Sequence, residues 1–156
     1  MKVELIAIGK TDLKAIESLN TMYAERIKHY LSFEIKILPD IKNSGNLSPE
    51  QQKNAEGILL MKNIREQDCV ILLDEKGDEY SSVKFSKFIE SRSQEGKKII
   101  FIIGGPFGFS DLIYKRAQHK ISLSKMTFSH QIVRTIFLEQ LYRAMTIIRN
   151  EKYHHE

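Results

Sequence analysis

The hydrophobic run Lys98-Ile99-Ile100-Phe101-Ile102-Ile103 constrains the fold more than any other part of this chain. After its first residue it carries no charge, and Ile fills all but one of the remaining positions, so it offers no polar face to water. Such a run reads as a strand buried on both faces, the arrangement found where helices cover both sides of a parallel sheet. Gly104-Gly105-Pro106-Phe107-Gly108 follows directly. Its glycines let main-chain N–H groups come within hydrogen-bonding distance of a ligand. Ligands in open α/β sheets bind in the crevice outside the carboxyl ends of the strands, so the loops after Ile103 and Leu123 are where chemistry is expected.

The remaining pattern extends this picture in both directions. Residues 3–8 form an apolar run broken only by Glu4 and closed by Gly9, which reads as a first strand. Leu13, Ile16, Leu19, Tyr23, Ile27 and Tyr30 then recur at steps of three and four, a helix that Thr11 or Asp12 would cap. Phe33, Ile35 and Ile37 alternate with charged residues up to Pro39, as in a strand near a sheet edge. A polar loop leads to Ser48-Pro49-Glu50-Gln51, a helix start with a Ser cap, Pro in the first turn and Gln three residues after the cap. This helix is expected to reach Arg65. Residues 69–73 read as a strand ended by Asp74 and a turn at Gly77, and Ser82 opens a helix that buries Phe85, Phe88 and Ile89. Beyond the glycine loop, Ser110 and Asp111 cap a short helix to Gln118, residues 120–123 form the last strand, and a long helix runs from Ser129 to Arg149. Strands alternating with helices at this spacing define an α/β fold with a mainly parallel sheet and helices on both faces.

The last helix has an unusually wide apolar arc. Val133, Phe137, Leu141, Ala144 and Ile148 form one stripe, which Ile132, Ile136, Leu138, Tyr142 and Met145 broaden. It is therefore buried on more than one side, the second cover being either another subunit or another part of the same chain.

A length of 156 residues suits one domain that buries roughly 70 % of its unfolded surface. No apolar run approaches the roughly 18 residues that span a bilayer, so no membrane association is expected. Glu4 interrupts the first apolar run and no small-residue cleavage site follows, which argues against a secretory signal. The single cysteine, Cys69, allows no internal disulfide and reads as a small buried hydrophobe. Together these place the expected location in the cytoplasm. The net charge of +4 is unevenly spread: residues 115–156 carry eight Lys or Arg against three acids. A polyanionic partner should therefore meet the C-terminal third, unless this is simply a solvated basic face.

The glycine loop matches neither familiar phosphate cradle, having no Gly-Lys-Ser/Thr close and no Gly-x-Gly-x-x-Gly with a distal acid. Leu123-Ser124-Lys125-Met126-Thr127-Phe128-Ser129-His130 mixes apolar side chains with main-chain polar groups at a strand end. Leu and Met can sandwich an adenine ring while amides read its edge, although the same residues also suit a core. At the other end of the last helix, Arg143 and the tail Arg149-Asn150-Glu151-Lys152-Tyr153-His154-His155 combine cations with an aromatic ring, fitting phosphates and a stacked base or else a frayed terminus. The histidines have no Cys pair or metal-ligand spacing, and no metal site is expected.

Taken together, residues 102–110, 123–134, Glu139-Gln140-Leu141-Tyr142-Arg143-Ala144 and Tyr153-His154 closely resemble the bacterial large-subunit rRNA pseudouridine N3-methyltransferases, the RlmH family. Residues 1–10 and Leu72-Leu73-Asp74-Glu75 with Gly77 match too, so the resemblance spans the whole chain as a single domain, 1–156. It implies a SPOUT-type fold with a deep C-terminal trefoil knot and a homodimer paired through the last helices. It further implies S-adenosyl-L-methionine as cofactor, held by Leu73, Gly104, Gly105, Leu123, Ser124, Lys125, Met126, Thr127 and Phe128. The implied substrate is a pseudouridine in the 23S rRNA of the assembled ribosome. Ser129 departs from the family, whose members usually carry Pro before the His. Removing the N3 proton calls for a nearby base or cation, with His130, His154 and Tyr153 as candidates and Arg143 able to stabilise the developing negative charge; positioning without a dedicated base is the alternative. Two rival readings are a SPOUT enzyme acting on another RNA base and a ribosome-associated RNA-binding factor that transfers nothing.

Overall fold

Strand β4 (Ile99–Ile103) lies between β1 (Lys2–Ile8) and β3 (Cys69–Glu79), and none of its five residues is more than 5 % exposed. The computed structural model describes residues 1–155. Its sheet has the order β2-β1-β4-β3-β5, with β2 (Ser32–Leu38) and β5 (His119–Ser122) at the edges and every pairing parallel. Successive side chains of a strand point to opposite faces, and the two cores follow that alternation. Val3, Leu5, Ile99, Phe101 and Ile71 belong to one apolar cluster, while Ile6, Ile100, Ile102, Val70 and Leu72 belong to the other. Helices α1 (Lys14–Lys28), α3 (Ser82–Ser93) and α5 (Ile132–Ile148) cover the first face. On the second lie α2 (Pro49–Met61) and α4 (Asp111–Arg116).

Helix α2 starts as its sequence dictates: Ser48 Oγ accepts from Gln51 N at 3.1 Å and Gln51 Oε1 accepts from Ser48 N at 2.9 Å, a complete capping box. It ends at Met61, short of Arg65, because Asn63 Nδ2 donates to the Leu59 carbonyl and Asp68 Oδ2 accepts from Arg65 N, folding the segment into a turn. Helix α3 is capped by Ser81, whose Oγ accepts from Lys84 N, one residue before the expected start. Helix α4 stops at Arg116, and Gln118 instead joins the sheet edge through Val70 N. Cys69 is buried, and that burial pushes its thiol pKa up.

Neither Thr11 nor Asp12 caps α1. The side chain of Gln131, just ahead of α5, reaches across the chain and accepts from Asp12 N at 3.0 Å and Leu13 N at 3.3 Å. The neighbouring Arg134 is 1 % exposed and donates to the Ile8 carbonyl at 2.8 Å and Thr11 Oγ1 at 3.0 Å. The start of α5 is thus latched to the loop after β1.

Helix α5 itself owes most of its apolar width to its own chain. Phe137 packs on Phe101 with ring centroids 4.7 Å apart, and Leu141 is fully buried between the sheet and the flanking helices α1 and α3. Ile132, Ile136 and Ile147 are half-buried and belong to neither core cluster.

The expected turn at Gly77 is absent. Leu73 and Asp78 both pair with Ile121, so residues 74–77 bulge out and the strand then resumes on β5. A Cβ on Gly77 would lie 2.6 Å from Ile121 N, which explains why the returning main chain needs glycine there. Gly77→Ala should destabilise the fold by about 2–4 kcal/mol, since rigid backbone opposes the methyl. A chemical-denaturation midpoint equal to that of the native chain would show that the bulge absorbs a side chain.

Candidate functional site

A cavity of about 730 Å³ opens where β3, β4 and β5 end, within the size range of small-molecule sites. The bulge brings Asp74, Glu75 and Lys76 to one side, the loop after β4 brings residues 104–109, and the loop after β5 brings Leu123, Ser124, Met126, Thr127 and Phe128. Leu73, His130 and Val133 complete the walls with Tyr114 and Lys53. Of the residues expected to hold a cofactor, only Lys125 stays outside the lining; its side chain is 85 % exposed and faces Glu79 at 3.9 Å.

The walls differ in chemistry. Leu123 and Met126 supply apolar surface, and Met126 is 77 % exposed, free to close over a ring. Tyr114 Oη donates to Asp74 Oδ2 at 2.5 Å, and burial with this bond raises the phenol's pKa, so it remains a donor. Asp74 Oδ1 accepts from Lys76 N at 3.0 Å, which fixes the bulge. Glu75 stands across from Thr127 Oγ1 at 3.5 Å. Lys53 and Lys76 line the same cavity, so these two acids meet two cations and the walls carry no net charge.

Gly105 serves a purpose that sequence reading missed. A Cβ on it would point away from the cavity at the carboxylate of Glu56 on α2, 2.5 Å from Oε1. Glu56 is 3 % exposed, its Oε1 accepts from Gln52 Nε2 and its Oε2 has no partner, and burial raises its pKa. The carboxyl therefore sits directly behind the glycine loop. Gly104 meets the ring of Phe109 in the same manner, at 3.1 Å from a would-be Cβ. A Glu in the middle of a polar helix face gave no sequence signal for this contact.

Arg143, Tyr153 and His154 form a second group. Arg143 donates to Glu139 Oε1 through Nη2 at 2.5 Å and Nε at 3.0 Å, and its Nη1 lies 3.3 Å from His154 Nδ1. Tyr153 Oη donates to Glu139 Oε1 at 3.2 Å, and the guanidinium stacks 4.8 Å from the Tyr153 ring. The hydrogen bond to Glu139 raises the Arg143 pKa, while burial, then bonding to Tyr23 and the Glu139 charge, raise that of Tyr153. Tyr153 is accordingly a poor base. Tyr30 Oη bonds Glu151 Oε2 at 2.5 Å and Tyr142 packs on Tyr153 at 4.8 Å, so the tail is tied down instead of frayed. Val133 lines the cavity and Arg143 lies ten residues further along α5, about 15 Å at the helical rise. Within one chain, His130 is at the cavity and the other three candidates are not.

Fold and pocket describe a ligand-binding α/β protein, and comparison with known proteins gives its class. Residues 1–154 match the family described as predicted SPOUT methyltransferase. The chain is 54 % identical over 156 residues to the ribosomal RNA large subunit methyltransferase H of Christiangramia forsetii, covering 99 % of both chains. It is 53 % identical to the protein of the same name from Parabacteroides distasonis, with both chains covered completely. A solved SpoU methyltransferase, AviRb from Streptomyces viridochromogenes in complex with AdoMet, aligns with a TM-score of 0.49 and 13 % identity over 97 % of this chain and 59 % of that one. The chain belongs to the ribosomal RNA large subunit methyltransferase H family.

If Gly105 is needed because of Glu56, Gly105→Val should weaken S-adenosyl-L-methionine binding about tenfold or more by displacing the loop. Gly105→Ala combined with Glu56→Ala should then recover much of the affinity lost by Gly105→Ala alone. Calorimetry showing no recovery would assign the glycine to direct ligand contact.

Proposed function

We propose that this chain is an S-adenosyl-L-methionine-dependent methyltransferase that methylates N3 of a pseudouridine in 23S rRNA within the assembled ribosome. The observation that carries the reading is the cavity at the ends of β3, β4 and β5, built from the loops that the family resemblance marks as the cofactor site. Its features fit that cofactor: main chain at the glycine loop, Leu123 and Met126 for an adenine, and a polar wall of Asp74, Glu75 and Thr127. The loops after β4 and β5 both line this cavity, and the family resemblance implies the trefoil knot there.

When bound, S-adenosyl-L-methionine supplies an electrophilic methyl group on a sulfonium. The protein's task is to orient the uracil ring, exclude water and stabilise charge as the N3 proton leaves. His130, at the cavity wall, is the base candidate nearest the cofactor. Arg143, with its charge held by Glu139, and the ring of Tyr153 offer a stacking and phosphate-binding surface. Because this second group stands about 15 Å along α5 from the cavity within one chain, we assign it to the cavity of a second copy. The half-buried Ile132, Ile136 and Ile147 supply the pairing surface of a homodimer.

The direct test incubates the protein with labelled S-adenosyl-L-methionine and ribosomes from a strain lacking the enzyme, then maps the labelled nucleotide. Label on N3 of a 23S pseudouridine is expected; label on another base, or none, rejects the reading. Tyr153→Ala with His154→Ala should lower methyl transfer by roughly a hundredfold or more while cofactor affinity is kept. Unchanged turnover would remove the tail from the site.

Pairing is tested with Ile136→Glu, which should give a folded monomer by light scattering and circular dichroism. Leu141→Glu is unsuited to this purpose because Leu141 is fully buried in its own subunit. A folded native monomer at micromolar concentration would refute the dimer.

A further inference from the structure

We propose that the end of the sheet opposite the cofactor cavity is a second RNA-contact surface that grips a phosphate backbone. The inference rests on the reading that the substrate is RNA. A cavity of about 630 Å³ there is lined by Lys2, Lys36, Lys62, Arg65, Lys97 and Lys98, with Asp68 as its one acid. Asp68 is 4 % exposed and accepts from Arg65 N at 2.8 Å, so its carboxylate is directed inward. Lys98 pairs with the buried Glu4. None of the other five cations forms an ion pair among the described residues.

These residues come from the start of β1, the turns after α2 and the entry to β4, with Lys36 reaching in from the later half of the edge strand β2. They are scattered over nearly a hundred positions in a part of the sequence that carries as much acid as base. Counting charge along the chain hides the cluster, and the parallel sheet gathers it. The C-terminal end of α2 would be complemented by a single cation, since its dipole amounts to about half a charge. Five uncommitted like charges repel one another and give the fold nothing in return. A partner with regularly spaced negative charge would relieve that repulsion.

Phosphate oxygens suit the donors present: the four lysines other than Lys98, Arg65, and the side-chain amide of Gln67. No aromatic side chain lines this cavity, so it has nothing on which to stack a base. It therefore positions RNA and reads no sequence. Lys98 and Gly104 stand at opposite ends of β4, about 20 Å apart at the rise of a strand. One RNA reaches both places when it is folded with a phosphate ridge that far from the exposed target base. On a ribosome the second contact then becomes intramolecular once the first is made.

The test compares the native protein with a variant carrying Lys36→Ala, Lys62→Ala, Arg65→Ala and Lys97→Ala. The expected results are a ribosome-binding salt slope shallower by about three and a KM for ribosomes raised roughly tenfold. The kcat, the S-adenosyl-L-methionine affinity and the binding of a short hairpin bearing the target base should stay at native values. Native KM and salt slope in the variant would overturn the proposal. So would weaker ribosome binding with an unaltered salt slope, which would mean that this end meets a ribosomal protein. If the native protein methylates no ribosomal RNA, the enzymatic reading fails by itself, while the salt slopes for ribosome binding still decide whether this surface grips phosphate.

Discussion

Burial of β4 on both faces is the constraint on which everything else in the molecule rests. A strand with no polar side chain needs neighbours on both edges and helices above and below, and β1, β3 and the two helical layers answer that need. Because all five strands run parallel, their carboxyl ends collect at one side. The main chain leaves β4 there as Gly104-Gly105, on one side of the bulge of β3, with the loop after β5 on the other. The cavity is a geometrical consequence of the sheet, and its chemistry comes from what each departing loop carries.

Two long-range latches keep those loops in register. Gln131 and Arg134, at the start of α5, bond to main-chain groups of residues 8–13 and thereby hold the helix that begins beside His130. Glu56 stands behind Gly105 with an unsatisfied buried oxygen, so the glycine loop is braced from α2 as well as from the sheet. Burying an unpaired carboxyl costs free energy, and raising its pKa lessens that cost by favouring the neutral form. Rigidity at this loop keeps the wall of the cavity fixed.

Much of this was readable in advance. The buried strand, the parallel arrangement, the capping box at Ser48 and the location of the pocket all follow from patterns whose partners lie within a few residues of one another. The errors share a cause. Thr11 and Asp12 look like caps, but the carbonyl that serves α1 comes from Gln131, 119 residues away from Asp12. Gly77 looks like a turn because glycine is common in turns, yet here it admits the backbone of β5. The wide apolar arc of α5 left open whether another subunit or the same chain covers its second side, and for Leu141 the cover is α1 and α3 of the same chain. Arg143, Tyr153 and His154, candidates alongside His130, stand apart from the cavity within one subunit.

What the sequence by itself determined is therefore the α/β alternation, the central strand, the glycine loop at its end and, through whole-length likeness, the family. Hydrophobic periodicity and turn chemistry are local, so they survive in a linear reading. Only the tertiary structure decided which side of Gly105 is crowded, which cations share one cavity, and how far Arg143, Tyr153 and His154 stand from the cavity at the glycine loop. Each of these depends on contacts between segments distant in the chain, where the deciding quantity is distance in space and no spacing along the sequence encodes it.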